Sequence, residues 1–430
     1  MRILFILPYD NTYKYKGCFT KSISYAPLTL SVLAALVPQN LHAEIKIIDE
    51  GVDKPCLRGN YDIVAITCVT SSAKRAYKLC KFWKERGSYV VLGGVHPTLM
   101  SDEATNYADS IFVGFAEETF PQFFKDYLDG TPQKIYRHKS KCAHLPLPIP
   151  RRDLISKKYM NIPTVIANRG CMNQCSYCSI NKLWGKDGLT RPIDEVIHEI
   201  KTLNPKRIIL LDPSPTSNEE YAIQFFQALI PLKIKWSGLS TIDVVKKPKL
   251  FDLIIKSGCE GILAGFESIN SVNLLSVDKK TNKVDEYKYA VKQFHQANIP
   301  VLGCFVAGFD HDTKESLLDT VDFIDEIGID LPRFSILTPF PGTTMYDGYI
   351  KNNRILTKDW DLYDTMHVVF EPKNMSPAEL QKIFLEMWKR SYATKKILNR
   401  LSNTQKNIII KLGANLGFKY YALKIRKAGG

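Results

Sequence analysis

The sequence lacks the long apolar runs that a membrane-spanning helix needs. Its 430 residues are 45% hydrophobic, yet no uninterrupted apolar stretch approaches the roughly 20 residues that cross a bilayer. The N-terminus enters a strand-like segment, Arg2 to Pro8, without the pattern of a signal peptide. We therefore expect a cytoplasmic protein with a large core, divided into two or three domains.

The sequence also lacks a disulfide framework. It has ten cysteines, and packing is the expected role of the seven that are scattered in mostly apolar surroundings: Cys18, Cys56, Cys68, Cys80, Cys142, Cys259 and Cys304. The other three, Cys171, Cys175 and Cys178, fall close together. Zinc is an alternative for these three, but neither a second cysteine pair nor a nearby histidine supplies its fourth ligand.

Three close thiolates suit an iron–sulfur cluster with one open iron, because a [4Fe-4S] cluster normally takes four cysteines. The apolar run Ile162 to Ala167 precedes the cysteines, and a polar, glycine-containing segment follows them. This context predicts a buried strand that ends in a ligand-bearing loop.

Short apolar runs alternate with helical patterns over residues 1–130. The predicted strands are Arg2 to Pro8, Glu44 to Asp49, Asp62 to Thr67, Tyr89 to Leu92 and Ser110 to Val113. The predicted helices between them are Leu28 to Val37, Ser72 to Arg86 and Glu118 to Leu128. The alternation predicts an α/β fold whose first domain is a doubly wound, flavodoxin-like parallel sheet, with ligands at the carboxyl ends of its strands.

A proline-rich, basic segment, 131–161, is predicted to be a linker. Six strand–helix units follow over residues 162–350 and predict a partial (βα)6 TIM-like barrel, with a helical, basic region over 351–430. The predicted strands are Thr164 to Ala167, Arg207 to Leu211, Lys235 to Ser240, Gly261 to Ala264, Pro300 to Val306 and Arg333 to Leu337. The predicted helices include Ile193 to Leu203, Glu219 to Leu229, Pro248 to Ser257, Val284 to Ala297, Thr313 to Ile327 and Pro377 to Tyr392.

The cysteine loop, with an aromatic residue, Tyr177, before its last cysteine, resembles the signature loop of radical S-adenosylmethionine (SAM) enzymes. The resemblance implies that Cys171, Cys175 and Cys178 bind a [4Fe-4S] cluster whose open iron is chelated by SAM. An electron from the cluster would cleave SAM to a 5′-deoxyadenosyl radical. An electron donor such as flavodoxin or ferredoxin is the implied partner.

Later strand ends also resemble that family. The resemblance implies that Asp212 accepts a hydrogen bond from the SAM amino group, although a helix or turn cap is the alternative role of this carboxylate. Ser240 lies where the family contacts the SAM carboxylate and ribose. Glu267, in Gly265-Phe266-Glu267-Ser268, matches a Gly-x-Glu-Ser segment and is expected to bind ribose or to make a structural hydrogen bond.

Two loops of the first domain resemble those of the cobalamin-binding domain that precedes many radical SAM enzymes. One is Gly93-Gly94-Val95-His96-Pro97-Thr98, and the other contains Gly114 and Glu117 in a Gly-x-x-Glu-x-Thr pattern. The glycine pair would let backbone approach a bulky ligand. The Asp-x-His-x-x-Gly pattern that supplies a histidine to cobalt is missing, so His96 is a cobalt ligand, a hydrogen-bonding loop residue or an ordinary turn histidine.

The resemblances imply a cobalamin-dependent radical SAM enzyme, with C-methylation of an unactivated carbon as the first hypothesis. One SAM would methylate cobalamin, and a second SAM would yield the radical that activates the substrate. Cyclisation, ring contraction or carbon–carbon coupling is the second hypothesis. A tRNA methylthiotransferase-like enzyme is a further alternative, because Cys18, Cys56 and Cys68 invite comparison with the second cluster of that family.

The formal charge of +14 favours anionic partners. The tail from Lys395 to Lys427 mixes Ile, Leu, Phe and Tyr with many basic residues. It predicts either a helical cap over the barrel mouth or peripheral contact with an anionic membrane. We expect a small-molecule or lipid substrate, and we do not expect nucleic acid as a partner.

Overall fold

A computed structural model describes residues 1–10, 25–55, 57–138, 147–186, 188–402 and 408–428. Cys18, Cys56 and Cys142 lie outside the described residues, as does Pro146 of the predicted linker. Over the described ranges, no helix combines the length and the apolar character that crossing a bilayer requires.

The first domain is built on a parallel six-stranded sheet. Its strands are β1 (Arg2–Leu7), β2 (Glu44–Asp49), β3 (Ile63–Thr67), β4 (Tyr89–Gly93), β5 (Ser110–Val113) and β6 (Ile135–Arg137), in the spatial order β2-β1-β3-β4-β5-β6. The helices are Thr29–Ala35, Ala73–Lys84, Val95–Leu99, Ser101–Ala104 and Ala116–Leu128. They cover both faces of the sheet, which is why a central strand such as β3 is buried at every position.

The predicted doubly wound sheet is confirmed, with one addition. The range 131–161, predicted as a linker, contributes β6, which pairs with β5 in parallel. Only Tyr136 of this three-residue edge strand is buried, and its ring stacks on Phe112 at a centroid distance of 5.1 Å. So short a strand carries too little apolar pattern to be predicted from the sequence.

The second domain is the predicted open barrel of six parallel strands. Its strands are β7 (Thr164–Val165), β8 (Arg207–Leu210), β9 (Lys235–Ser240), β10 (Cys259–Glu267), β11 (Val301–Ala307) and β12 (Leu331–Ile336), paired in chain order. The helices around it are Ile180–Trp184, Ile193–Leu203, Glu219–Leu229, Pro248–Lys256, Ser271–Ser276, Tyr287–Gln296, Lys314–Ile327 and Thr344–Lys351. A two-residue antiparallel ribbon, Asn168–Arg169 with Leu189–Thr190, brackets the cysteine loop.

The last part of the chain contacts both domains. Trp360 is buried against the first domain, and its indole N–H donates to Glu103 Oε1 at 2.9 Å. Helices Pro377–Ser391, Thr394–Leu401 and Ile408–Ala428 follow. The first of them begins with a capping box between Ser376 and Glu379, and its Trp388 stacks on Phe418 of the last helix at 6.1 Å. The last helix is thereby packed onto the barrel.

Candidate active site

The cysteine loop follows the first barrel strand, as predicted. Its turn is closed by the Cys178 N–H, which donates to the Cys175 carbonyl oxygen at 3.1 Å. The Ser176 N–H donates to the Val277 carbonyl oxygen at 3.1 Å, so the loop is docked on the turn that follows helix Ser271–Ser276. Cys175 is buried, and Cys171 and Cys178 are half-buried.

The three thiols interact electrostatically. Burial raises the pKa of the Cys175 thiol to about 11, with Cys178 and Cys171 adding to the rise while Lys279 opposes it. Among the described residues, no three Cys, His, Asp or Glu side chains converge on a position for a single metal ion. Each cysteine of a cubane cluster binds a different iron, so the ligands of such a cluster stand apart. Three mutually interacting thiols without a fourth ligand therefore fit a [4Fe-4S] cluster with one open iron.

A buried ion pair lies beside the cysteine loop. Lys279 Nζ is 2.9 Å from Glu267 Oε1, and both side chains are largely buried. Burial disfavours the ammonium, but Glu267 and the thiols of Cys175 and Cys178 outweigh this effect and raise the pKa of Lys279. The site thus holds a positive charge next to thiols that would be thiolates in a cluster.

Tyr177 and Glu267 lie in the same neighbourhood. The Tyr177 ring packs edge-on against Phe309 at a centroid distance of 6.1 Å, and burial raises the pKa of its phenol well above the ordinary value, with Glu267 adding to the rise. Glu267 ends strand β10 with φ of 65°, which is uncommon for a residue with a side chain. The structure therefore brings both predicted cofactor-binding residues to the cysteine loop.

Asp212 organises the backbone at the strand ends. It is fully buried, and its Oδ1 accepts the Ala167 N–H at 2.8 Å. Burial raises its pKa to about 7, against the opposing effects of the Ala167 and Asn168 N–H groups and Arg191. Its Oδ2 has no hydrogen-bond partner among the described residues, and neither does the buried Ser214 Oγ. These two buried polar atoms therefore lack a partner within the described residues, and contact of Asp212 with SAM stays a prediction.

Ser240 ends strand β9, as the sequence predicts. Its hydroxyl donates to the Thr241 carbonyl oxygen at 3.0 Å, and the residue is buried. The hydroxyl hydrogen of Ser240 is therefore already donated within the protein. A role in binding SAM would rest on the lone pairs of the hydroxyl oxygen.

A cavity of about 1040 Å³ lies between the two domains. The carboxyl ends of the first sheet form one wall, which includes Gly93, Gly94, Gly114 and Glu117. A Cβ on Gly94 would stand 2.6 Å from Thr67 Oγ1 and 2.7 Å from the Cys68 carbonyl oxygen, and φ is 103° there. Only glycine fits this turn, because any side chain would collide with Thr67 and Cys68 at the end of the neighbouring strand.

The opposite wall belongs to the barrel. It includes Arg169 at the start of the cysteine loop, the leucines Leu263, Leu302 and Leu331, and Arg333. Arg169 Nη1 lies 2.5 Å from Glu117 Oε1 of the first domain. This ion pair joins the two walls.

His96 does not line the cavity. Its ring is fully buried, 5.2 Å from the ring of Trp360 and 6.0 Å from that of Tyr77. Its Nε2 is 3.5 Å from Glu103 Oε1, and burial lowers its pKa against the effect of Glu103. The short helix Val95–Leu99 carries the ring behind the glycine turn, so the structure places His96 in the packing against the C-terminal region.

Sequence reasoning missed three residues of this region: Lys279, Arg169 and Arg333. Lys279 lies twelve residues after Glu267 and belongs to no spacing pattern. Arg169 lies two residues before Cys171, and this position is the only feature of the sequence that could have indicated its role. Arg333 enters the cavity wall because strand β12 is the open edge of the barrel, which only the topology shows.

The fold and the site define a class of protein: a sheet domain that offers a glycine-lined wall, joined to a partial barrel that carries three cysteines at a strand end. Residues 165–324 match the family model described as the Radical SAM superfamily, and residues 25–124 match the B12 binding domain.

Two curated relatives come from Chlorobaculum tepidum. Bacteriochlorophyllide d C-12(1)-methyltransferase is 30% identical over 89% of this chain and 86% of the relative. Bacteriochlorophyllide d C-8(2)-methyltransferase is 29% identical over 93% of each. The chain therefore belongs to the family of radical SAM enzymes that carry a B12-binding domain.

Solved structures show the same fold. The cobalamin-dependent S-adenosylmethionine radical enzyme OxsB, with aqua-cobalamin and S-adenosylmethionine bound, aligns with a TM-score of 0.67 at 14% identity, over 99% of this chain and 80% of that one. The radical S-adenosylmethionine methyltransferase TsrM from Kitasatospora setae, with cobalamin and a [4Fe-4S] cluster bound, aligns with a TM-score of 0.64 at 14% identity, over 89% and 85%.

Proposed function

We propose that this enzyme is a cobalamin-dependent C-methyltransferase that acts on an unactivated carbon of a large, mostly apolar small molecule. The observation that carries the proposal is the single cavity between the glycine-lined wall and the wall that includes Arg169 of the cysteine loop. A methyl donor held by one domain and a substrate activated at the other domain need such a common space.

A chlorin-type tetrapyrrole is the proposed substrate class. The two Chlorobaculum tepidum relatives are bacteriochlorophyllide methyltransferases by name. The barrel wall presents Leu263, Leu302 and Leu331 together with the guanidinium of Arg333. This wall suits a flat apolar ring system that bears a carboxylate.

The side chains of this protein would bind the cofactors, position the substrate and shield the reacting carbon from water. Cys171, Cys175 and Cys178 would hold the cluster, and Lys279 with Glu267 would supply a fixed charge pair beside it. The leucines of the barrel wall would keep water from the reacting carbon. When bound, the cluster with SAM supplies the hydrogen-abstracting chemistry and cobalamin supplies the methyl group.

Label transfer tests the proposal. The reconstituted enzyme would be incubated anaerobically with cobalamin, SAM deuterated in its methyl group, a reductant and a bacteriochlorophyllide, and the products would be analysed by mass spectrometry. We expect a product that gains the labelled methyl group, together with 5′-deoxyadenosine. A product without label would contradict methylation.

Ring formation is the second candidate, because a curated relative is the anaerobic magnesium-protoporphyrin IX monomethyl ester cyclase of Cereibacter sphaeroides. It is 29% identical over 79% of this chain, which spans 61% of that relative. In the same assay a cyclase would give a product with the mass of the substrate after loss of hydrogen, or after oxygen incorporation, and no label.

We also propose two partners. A small reduced protein such as flavodoxin or ferredoxin would donate electrons, and the charge of +14 would favour an acidic donor. An anionic membrane surface is the second partner, because the last helix exposes apolar side chains and also carries the half-buried Lys419 and Lys424.

A further inference from the structure

The last helix, Ile408–Ala428, has three faces with different surroundings. One face packs on the barrel: Phe418, Ala422 and Ile425 join its core, and Asn415 Nδ2 donates to the Asp330 carbonyl oxygen at 3.3 Å. A second face, with Gly413, Ala414 and Gly417, lines the cavity. The third face points to solvent.

The solvent face is apolar. Ile409, Leu412, Leu416, Tyr420 and Leu423 recur at intervals of three and four residues, which places them in one stripe along the helix. Ile409 is 86% exposed and Leu423 is 56% exposed. A surface helix normally turns charged and polar residues to water, and a helix that is apolar on all sides is expected to be covered.

The surroundings of the stripe are basic. Residues 387–430 contain eleven Lys and Arg and no Asp or Glu. Part of this charge is paired within the protein. Lys389 and Arg390 contact Glu386, Lys396 and Arg400 contact Asp325, and Lys411 is buried 3.6 Å from Asp330. On the outer side, Lys424 Nζ lies 4.8 Å from the centre of the Tyr420 ring. A positive charge therefore lies directly against a residue of the apolar stripe.

From this geometry we propose that the apolar stripe of the last helix docks on an anionic lipid bilayer. Leucine and isoleucine side chains would enter the headgroup region while the lysines meet the negative surface. A second copy of this chain fits less well, because two such faces would bring like charges together. The proposal deepens the proposed function: the helix that meets the bilayer also walls the cavity, so an apolar substrate held in lipid would lie next to its site.

Vesicle flotation tests the proposal with the reconstituted holoenzyme. We expect co-flotation with phosphatidylcholine vesicles that contain about one third phosphatidylglycerol, and at least about tenfold weaker binding to pure phosphatidylcholine. High salt should weaken the binding. Ile409→Asp/Leu423→Asp should reduce it about tenfold or more, because two charges replace the side chains that enter the bilayer.

Leu128→Asp/Leu275→Asp is the matched control. These leucines are 57% and 77% exposed on other helices, so the control adds the same charge outside the stripe and should bind like the unchanged protein. A second variant, Lys419→Glu/Lys424→Glu, tests the charge alone and should lose the preference for anionic vesicles.

Three outcomes would overturn the proposal. The first is equal binding to both kinds of vesicle, and the second is an equal loss of binding in the control. The third is absence of vesicle binding, and self-association in light scattering that Ile409→Asp/Leu423→Asp abolishes would then identify a second copy of the chain as the partner of the stripe. Flotation needs no substrate and no turnover, so its result is separate from the outcome of the label-transfer assay.

Discussion

The two walls of the cavity differ in what they offer a ligand. The barrel side offers the guanidinium groups of Arg169 and Arg333 to the cavity. It also carries the three thiols and the Lys279–Glu267 pair at the cysteine loop, which begins next to Arg169. The wall of the first domain offers backbone at Gly93, Gly94 and Gly114, together with mostly apolar side chains such as Val32 and Phe112. The difference implies two modes of recognition: specific bonds on the barrel side, and shape on the side of the first sheet.

Cys175→Ala should give the largest effect and should separate the two walls. Removing one of three thiolates should prevent cluster assembly and abolish 5′-deoxyadenosine formation. Cobalamin binding should persist because the glycine-lined wall is unchanged. Iron content and corrinoid absorbance measure the two results.

Cys259→Ala is the control for that substitution, because Cys259 is a free cysteine of the barrel outside the loop. It should retain normal iron content. If Cys175→Ala lost cobalamin together with iron, the two walls would not bind their cofactors independently.

Lys279→Met tests the charge pair. It leaves the Glu267 carboxylate buried without its cation, and breaking such a pair typically costs about 3 kcal/mol. Urea unfolding followed by tryptophan fluorescence should show the loss. Lys279→Met/Glu267→Gln should recover most of it, and a double variant as unstable as the single one would show that the pairing does not matter.

Gly94→Ala tests shape recognition. The added Cβ would meet Thr67 and Cys68, and the shift of the turn should weaken cobalamin binding by about tenfold, equivalent to about 1.4 kcal/mol. Gly130→Ala is the matched control, because φ is 74° there and no atom lies within 4 Å of the added Cβ. Gly94, with φ of 103° and ψ of −164°, lies in a backbone region that essentially only glycine adopts, so an alanine there carries backbone strain on the order of 1–3 kcal/mol in addition to the contacts of its Cβ. Equal cobalamin affinity in the two variants would refute the role of this turn.

Asp212→Asn should give a pH-dependent effect on stability. The folded-state pKa of Asp212 is about 7 and its ordinary value is 3.8, so the folded state binds more protons between these values. Its contribution to stability is fully present below about pH 4 and is lost as pH rises through 7, with a slope of at most about 1.4 kcal/mol per pH unit.

The Asn variant keeps an acceptor for the Ala167 N–H and has no such titration. The free energy of unfolding, measured across this pH range, should therefore fall less steeply with pH in the variant than in the unchanged protein. Parallel curves would show that Asp212 is ionised throughout the range.

The elements with strong local patterns were predicted well. Helices Ile193–Leu203 and Glu219–Leu229 match their predicted bounds, because apolar periodicity extends to both ends of each. Strand β10 is longer than predicted, since Gly261 and Gly265 interrupt its apolar run. Glycine weakens the strand pattern although it fits here, where a Cβ on Gly265 would meet Glu267 Oε1.

The site was predictable only where its residues are neighbours in the chain. The cysteine loop and the glycine turn are local motifs, and both lie at strand ends as expected. Lys279 and the last helix reach the site through tertiary packing, and no spacing in the sequence encodes that packing. His96 belongs to a local motif, but the direction of its ring depends on a helix of five residues.

The metal and corrinoid content of the reconstituted full chain tests the central claim, which is that one cavity serves two cofactors. After gel filtration with cobalamin, we predict about four iron ions and about one cobalamin per chain. A complete cluster without retained cobalamin would contradict the account of the first domain and leave the barrel as the sole cofactor site.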